Sequence, residues 1–141
     1  MRATGSVAGT PAALVSLAAA YAMINQPVEG LKCLAEAAQI IETTEERYIE
    51  AALHWIRGIL LNATDDRVAA EHSYQRALAV AKRQSAKTLE LRAATSLALF
   101  WRDQGKRTEA RDLLAPIYGW FTEGFDTPVL QDAKALLDEL A

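Results

Sequence analysis

A pattern of small and large residues recurs three times in this 141-residue chain, at a spacing of 40 residues. The aligned positions hold Leu17, Arg57 and Leu97; Ala18, Gly58 and Ala98; Tyr21, Leu61 and Trp101; Gly30, Ala70 and Ala110; Leu34, Tyr74 and Leu114; and Ala37, Ala77 and Ile117. A period of this length is typical of helical hairpins that bury their apolar faces only against neighbouring copies. The sequence therefore predicts an all-α solenoid with an extended groove, and a binding scaffold.

Capping signals support this division. Thr10 precedes Pro11, Thr43 lies three residues before Glu46, and Asp66 follows a polar turn, so each is predicted to begin a helix. Gly105 separates the last two hairpin helices as a left-handed C-cap. The predicted helices run over about 11–25, 28–42 and 45–63, then from the turn Thr64-Asp65-Asp66 to about 84, and over about 87–104 and 107–122.

The same signals divide the chain. Residues 1–9 are expected to form a flexible leader, and residues 10–141 a single domain. Its repeats span about 11–43, 44–85 and 86–122, and residues 123–141 form a capping segment. After the signal Thr127-Pro128, the apolar stripe of the capping helix holds Leu130, Ala133, Leu137 and Leu140.

Composition excludes several function classes. A net charge of −3 gives no electrostatic footprint for nucleic acid or for an anionic membrane. No uninterrupted apolar run reaches the roughly 18 residues of a membrane span. The single cysteine, Cys33, rules out an internal disulfide framework and suits a reducing compartment. We therefore expect a cytoplasmic protein that binds neither nucleic acid nor membrane.

The sequence contains little that suggests catalysis. His54 and His72 lie on different predicted helices, without Cys or carboxylate neighbours at ligand spacing, so no metal site is predicted. No phosphate-binding loop and no nucleophile motif occurs. We therefore expect no catalytic residues and no cofactor.

The order of small and large residues within each unit resembles the tetratricopeptide repeat, in a form longer than the usual 34 residues. The resemblance covers about residues 11–122 and implies a right-handed superhelix of three hairpins. Gly30, Ile117 and Pro116 depart from the repeat pattern, and Pro116 is expected to bend the last hairpin helix.

A narrower resemblance involves the last third of the chain, above all the motif YGWFTEGFDT from Tyr118 to Thr127. This segment is similar to the C-terminal tails of bacterial signalling proteins that join a class III adenylate/guanylate cyclase domain to a STAND-type ATPase. The resemblance implies a regulatory or sensor tail. The resemblance implies neither the cyclase nor the ATPase activity for this chain, because the chain has no Walker A motif and no room for a cyclase domain.

In tetratricopeptide repeats the first helix of each hairpin lines the groove. The resemblance therefore assigns partner-binding positions to Trp55, Ile59, Asn62, Arg92, Thr95, Leu99 and Arg102. Trp55 would be the apolar anchor, and Arg92, Thr95 and Arg102 would grip a carboxylate or an acidic peptide. These polar residues could equally form a solvated face, with Asp103 as the partner of Arg102.

Two functions therefore stay open. The chain is either a module that binds a protein or peptide, or a structural oligomerisation element without a ligand of its own. The first helix is expected to expose a stripe of Leu14, Leu17, Ala18 and Tyr21, which either pairs with a second copy of the chain or is shielded by the leader. A homodimer through this stripe suits the second function. Trp120, Phe121 and Phe125 are expected to fill the joint between the third repeat and the cap, and the alternative is a ligand cage.

Overall fold

The computed structural model describes residues 10–44 and 49–141, where it contains seven helices and no strand. The helices are α1 (Pro11–Met23), α2 (Pro27–Thr44), α3 (Glu50–Ala63), α4 (Arg67–Arg83), α5 (Lys87–Asp103), α6 (Arg107–Gly119) and α7 (Pro128–Leu140). This confirms the predicted all-α class. The predicted leader, residues 1–9, lies outside the described residues.

The chain divides into two compact units, one ending at Ala77 and the other beginning at Leu78. In the first unit, α1 packs against α2, and both contact α3. Its core is built from large aliphatic side chains that are almost fully buried, among them Leu14, Leu34, Leu53 and Leu60.

Glycine permits a close approach at Gly30 of the first unit. A Cβ atom added there would lie 2.9 Å from Cδ1 of Leu60 and 3.2 Å from the carbonyl oxygen of Ala18. Ala18 itself is fully buried. These contacts confirm that the recurring small residues lie where helices touch, as the 40-residue pattern predicts.

In the second unit, α5 packs against α6, and α7 packs against both. The buried residues of α7 are Leu130, Ala133, Leu136 and Leu140. Leu136 is therefore buried in place of the predicted Leu137, which is only partly buried. Both positions lie within one helical turn of Ala133 and Leu140, so sequence spacing alone does not choose between them.

The helix-ending turns repeat with the same 40-residue spacing. Asn25, Asp65 and Gly105 have left-handed backbone conformations, with φ of 59°, 63° and 81°. The next residue in each turn donates its backbone N–H to a carbonyl five residues earlier, on Tyr21, Leu61 and Trp101, at 2.8, 3.0 and 2.9 Å. These are Schellman-type ends, and Asn and Asp tolerate them better than most residues. Only Gly105 was predicted from the sequence.

Two of the predicted helix N-caps are confirmed and one is wrong. Thr10 accepts a hydrogen bond from the backbone N–H of Ala13 at 3.1 Å, and Asp66 accepts one from Ala69 at 3.4 Å, so both are confirmed. Thr43 lies inside α2, so its predicted role at the start of α3 is wrong; Ile49 precedes α3 instead. Glu46 lies outside the described residues.

The last hairpin and the cap also differ from expectation. Helix α6 contains Pro116 and ends at Gly119, three residues before the predicted end at 122. Thr127 precedes α7 as predicted, but its hydroxyl donates to the carbonyl of Gly124 at 2.6 Å and caps no N–H group of the helix.

The predicted dimer stripe on α1 is only partly at the surface. Leu14 and Ala18 are 2% and 0% exposed, because they pack inside the first unit, whereas Leu17 is 44% exposed. The interpretation of these four residues as one exposed stripe is therefore wrong. No helix in the described part of the chain is long and apolar enough to cross a bilayer.

Candidate functional site

Three of the predicted groove residues lie on α3 of the first unit. Trp55 and Ile59 are partly buried and pack against the core of that unit, and Asn62 is exposed near the end of the helix. Residues spaced by three or four lie on one helix face. The indole of Trp55 is thus held partly by its own chain, with part of its surface left at the face that the three residues share.

The other four predicted residues lie on α5 of the second unit. Arg92 and Leu99 are exposed, whereas Thr95 and Arg102 are partly buried. The Thr95 hydroxyl donates to the backbone carbonyl of Leu91 at 2.8 Å, a bond within the helix. The Thr95 proton is therefore already engaged by the chain itself.

Arg102 forms the most extensive polar contacts of this set. One terminal nitrogen donates to both carboxylate oxygens of Glu139 at 3.0 and 2.9 Å, and the remaining nitrogens donate to Asp103 at 3.1 and 3.0 Å. The hydrogen bond that Arg102 donates to Asp103, with the charges of Asp103 and Glu139, raises the pKa of Arg102 above its ordinary value. An acidic ligand at Arg102 would have to compete with two carboxylates of the chain.

A cleft of about 590 Å³ opens in the second unit, where the start of α5 faces the connection between α6 and α7. Its lining includes Lys87, Arg92, Trp120 and Phe121, so only Arg92 belongs to the predicted set. Trp120 is 58% exposed and Phe125 is 47% exposed. The prediction that Trp120 and Phe125 fill the joint between the third repeat and the cap is therefore wrong. The sequence signal was the YGWF motif, which begins in the last turn of α6.

A second, polar cavity of about 530 Å³ lies in the first unit. His54 and His72 both line it, together with Glu50, Arg57 and Arg76. Nε2 of His54 lies 3.8 Å from the Glu50 carboxylate, so the prediction that it has no carboxylate neighbour is wrong. Glu50 precedes His54 by four residues, a spacing that places both on one helix face.

The electrostatics of this polar cavity favour a neutral imidazole. Burial lowers the pKa of His54, the charges of Arg76 and Arg57 lower it further, and Glu50 opposes them. Within residues 10–44 and 49–141, no group of three or more His, Cys, Asp or Glu side chains is arranged to hold a metal ion. His54 therefore has the environment of a buried core histidine beside a carboxylate.

Comparison with known proteins identifies no relative of this chain. No protein-family model, no curated protein and no solved structure matches the chain.

Proposed function

We propose that this chain is a protein- or peptide-binding scaffold of the tetratricopeptide type, with three hairpins and a cap stacked into a right-handed superhelix. The observation that carries the proposal is the 40-residue recurrence of buried small residues. Ala18, Ala70, Ala98 and Ala110 are fully buried, and the Schellman-type turns recur at the same spacing. Stacked hairpins of this kind expose long faces that bind partners.

The proposed partner-binding residues are those predicted on the first helix of each hairpin. In the first unit Ile59 and Asn62 retain surface, and in the second unit Arg92 and Leu99 are exposed. Such a mixture of apolar and cationic side chains suits a peptide that carries both apolar and acidic residues. A cytoplasmic location and the absence of a cofactor are part of the same proposal.

We further propose that the scaffold is the regulatory or sensor tail of a bacterial signalling protein with a cyclase and an ATPase domain. The support is the motif from Tyr118 to Thr127. Sequencing the reading frame upstream of the chain tests this step. An ATPase or cyclase domain in frame supports it, and an unrelated upstream frame with its own stop codon contradicts it.

Partner capture tests the binding function itself. The immobilised chain is incubated with lysate of the source organism, and the retained proteins are identified by mass spectrometry. Ile59→Glu and Leu99→Glu should abolish retention of specific partners. Val68→Glu is the matched control, because Val68 is 85% exposed and lies at the start of α4, outside α3 and α5.

Trp55 separates binding from structure in the same experiment. If Trp55 is a partner anchor, Trp55→Ala should reduce capture at a temperature at which its melting curve shows that the variant is still folded. Loss of stability without loss of any retained protein would count against the binding proposal. Retention of the same proteins by wild type, Ile59→Glu and Leu99→Glu would overturn it.

The second candidate function is a structural oligomerisation element, which the tip of the first hairpin favours. Met23, Ile24 and Val28 are 88%, 61% and 58% exposed, and Leu17 on α1 is also exposed. Clustered apolar surface of this kind often marks an interface. Sedimentation at tens of micromolar should then show a dimer that Leu17→Glu or Met23→Ser disrupts, and a monomer at all concentrations would exclude it.

A further inference from the structure

The cleft in the second unit presents two aromatic rings at right angles. The rings of Trp120 and Phe121 have centroids 5.2 Å apart and an angle of 86° between their planes. Trp120 is more than half exposed although it lines a concave surface. An indole left at the surface of a cleft retains apolar area that a ligand can cover.

Positive charge lies beside this aromatic corner. Nζ of Lys87 lies 5.0 Å from the centroid of the Trp120 ring, in a cation–π arrangement, and Arg92 lines the same cleft. Among the described side chains that line the cleft, Lys87 and Arg92 are cationic and Glu123 is acidic, and the carboxylate of Glu90 lies beside Lys87. A ligand with a negative group fits this charge distribution better than a cationic one.

Lys87 also has a second contact that constrains the ligand. Its ammonium lies 3.6 Å from Oε1 of Glu90, which is 5% exposed and accepts no hydrogen bond from the described residues at that oxygen. Since the ammonium has three donors, a ligand carboxylate can approach it without displacing Glu90. Lys87 keeps 39% of its side chain exposed, so it remains accessible.

We infer that this cleft binds a small planar aromatic carboxylate, with its rings against Trp120 and Phe121 and its carboxylate beside Lys87 and Arg92. The volume of about 590 Å³ lies within the usual range for small-molecule sites. This site goes beyond the proposed function, because a small ligand rather than a protein or peptide occupies it.

The test uses 2-naphthoate as the probe and 2-naphthamide as its uncharged counterpart. Binding to the full chain is followed in ¹H–¹⁵N NMR spectra by the Trp120 indole N–H signal, assigned through Trp120→Phe, and by the backbone amide signals of Phe121 and Gly124, which also report on variants without Trp120. We expect 2-naphthoate to shift the Trp120 signal saturably below about 1 mM, and 2-naphthamide to bind about 3-fold to 10-fold more weakly.

Variants separate the two parts of the site. Trp120→Ala should abolish binding, whereas Trp120→Phe should retain most of it. Arg92→Gln should weaken 2-naphthoate about 3-fold to 10-fold and leave 2-naphthamide unchanged. Lys87→Gln is combined with Glu90→Gln, so that the buried carboxylate of Glu90 does not lose its partner. This double variant should also weaken 2-naphthoate and leave 2-naphthamide unchanged. Lys106→Gln is the charge-matched control, because Lys106 is exposed and does not line the cleft.

Three results would overturn this inference: no saturation up to about 1 mM, equal binding of the acid and the amide, or unchanged binding in Trp120→Ala. Binding of a peptide with an aromatic residue beside a carboxylate, in the absence of 2-naphthoate binding, would also overturn it. Circular dichroism of each variant shows whether it is folded. Binding of 2-naphthoate and capture of a partner by the face that Ile59→Glu disrupts are measured separately, so the cleft proposal and the partner-binding proposal can each fail alone.

Discussion

The ring of Tyr74 lies directly against Gly58. A Cβ atom added at Gly58 would be 2.5 Å from Cε1 and 2.6 Å from Cδ1 of that ring, well inside van der Waals contact. Tyr74 is 4% exposed, so its ring has little room to move away. Glycine at position 58 therefore makes room for the tyrosine, despite its cost of about 1 kcal/mol in helix propensity.

This contact predicts that Gly58→Ala destabilises the protein although alanine is the better helix former. We expect a loss of about 1 to 3 kcal/mol in the free energy of unfolding, measured by urea denaturation. Gly119→Ala is the matched control, because a Cβ there would meet nothing within 4 Å, and it should be neutral or stabilising. A stabilising effect of Gly58→Ala would contradict the packing described.

The same helix supplies a second comparison. Gly58→Leu should be far more damaging than Asn62→Leu, since Asn62 is exposed and surface changes usually alter stability by less than about 0.5 kcal/mol. Melting curves of the two variants check this. Equal shifts in melting temperature would show that the assignment of the 40-residue pattern to helix contacts is wrong.

Burial of Tyr74 also predicts an alkaline transition. Desolvation raises its pKa from 10.0 to about 12 in the folded state. The unfolded chain therefore loses the phenolic proton first, and stability that is fully present below pH 10 falls as the pH rises towards 12. Two pKa units correspond to about 2.7 kcal/mol.

The prediction is tested by urea denaturation of wild type and Tyr74→Phe between pH 9 and pH 12. Tyr74→Phe should lose less stability than wild type over this range, whatever its stability at neutral pH. Tyr21→Phe is the control and should follow wild type. Parallel curves for wild type and Tyr74→Phe would show that Tyr74 is not the group responsible.

His54 predicts the opposite behaviour in acid. Burial and the charges of Arg76 and Arg57 lower its pKa below 6.5, against the opposing effect of Glu50. The unfolded chain therefore takes up the proton first as the pH falls, so stability is fully present above about pH 6.5 and declines below it. His54→Gln should reduce this decline, whereas His72→Gln, at an exposed position, should preserve it. Denaturation between pH 7.5 and pH 5 provides the measurement, and an unchanged decline in His54→Gln would refute the assignment.

The sequence predicted the helices and their contacts better than the partners of individual side chains. The small residues at the crossings and the caps at Thr10 and Asp66 were predicted because they follow from local spacing and from backbone geometry. The left-handed residues Asn25 and Asp65 share the position of Gly105, so the repeat itself could have revealed them.

The partners of exposed side chains were less accessible to sequence reasoning. Arg102 was assigned either to a ligand or to Asp103, and the contact with Asp103 is present. Its contact with Glu139, 37 residues away in the chain, was not predicted, because a long arginine reaches any carboxylate that the fold brings near. Trp120 was expected to fill the joint because aromatic residues at a repeat terminus usually pack in the core, with a ligand cage as the alternative. Helix α6 ends just before Trp120 and leaves the ring in a cleft. Both outcomes depend on how the capping helix docks, which no local pattern encodes.

That docking leads to the last prediction, which concerns Arg102 and Glu139. Arg102 lies at the end of α5 and Glu139 near the end of α7, and Arg107 donates to the backbone carbonyl of Glu139 as well. These contacts join the capping helix to the preceding hairpin. We expect Arg102→Ala and Glu139→Ala each to increase amide hydrogen exchange in the last turn of α7.

The size of the effect should be modest. The Glu139 side chain is 51% exposed, so solvent and salt screen the pair, and a double-mutant cycle should give a coupling energy of about 0.5 to 1 kcal/mol that decreases at high salt. Lys134→Ala is the matched control: it removes an exposed pair with Asp138 inside α7 and should leave the docking of the helix unchanged. A coupling energy of zero, with unchanged exchange in α7, would mean that the buried face of Leu130, Ala133, Leu136 and Leu140 alone holds the cap in place.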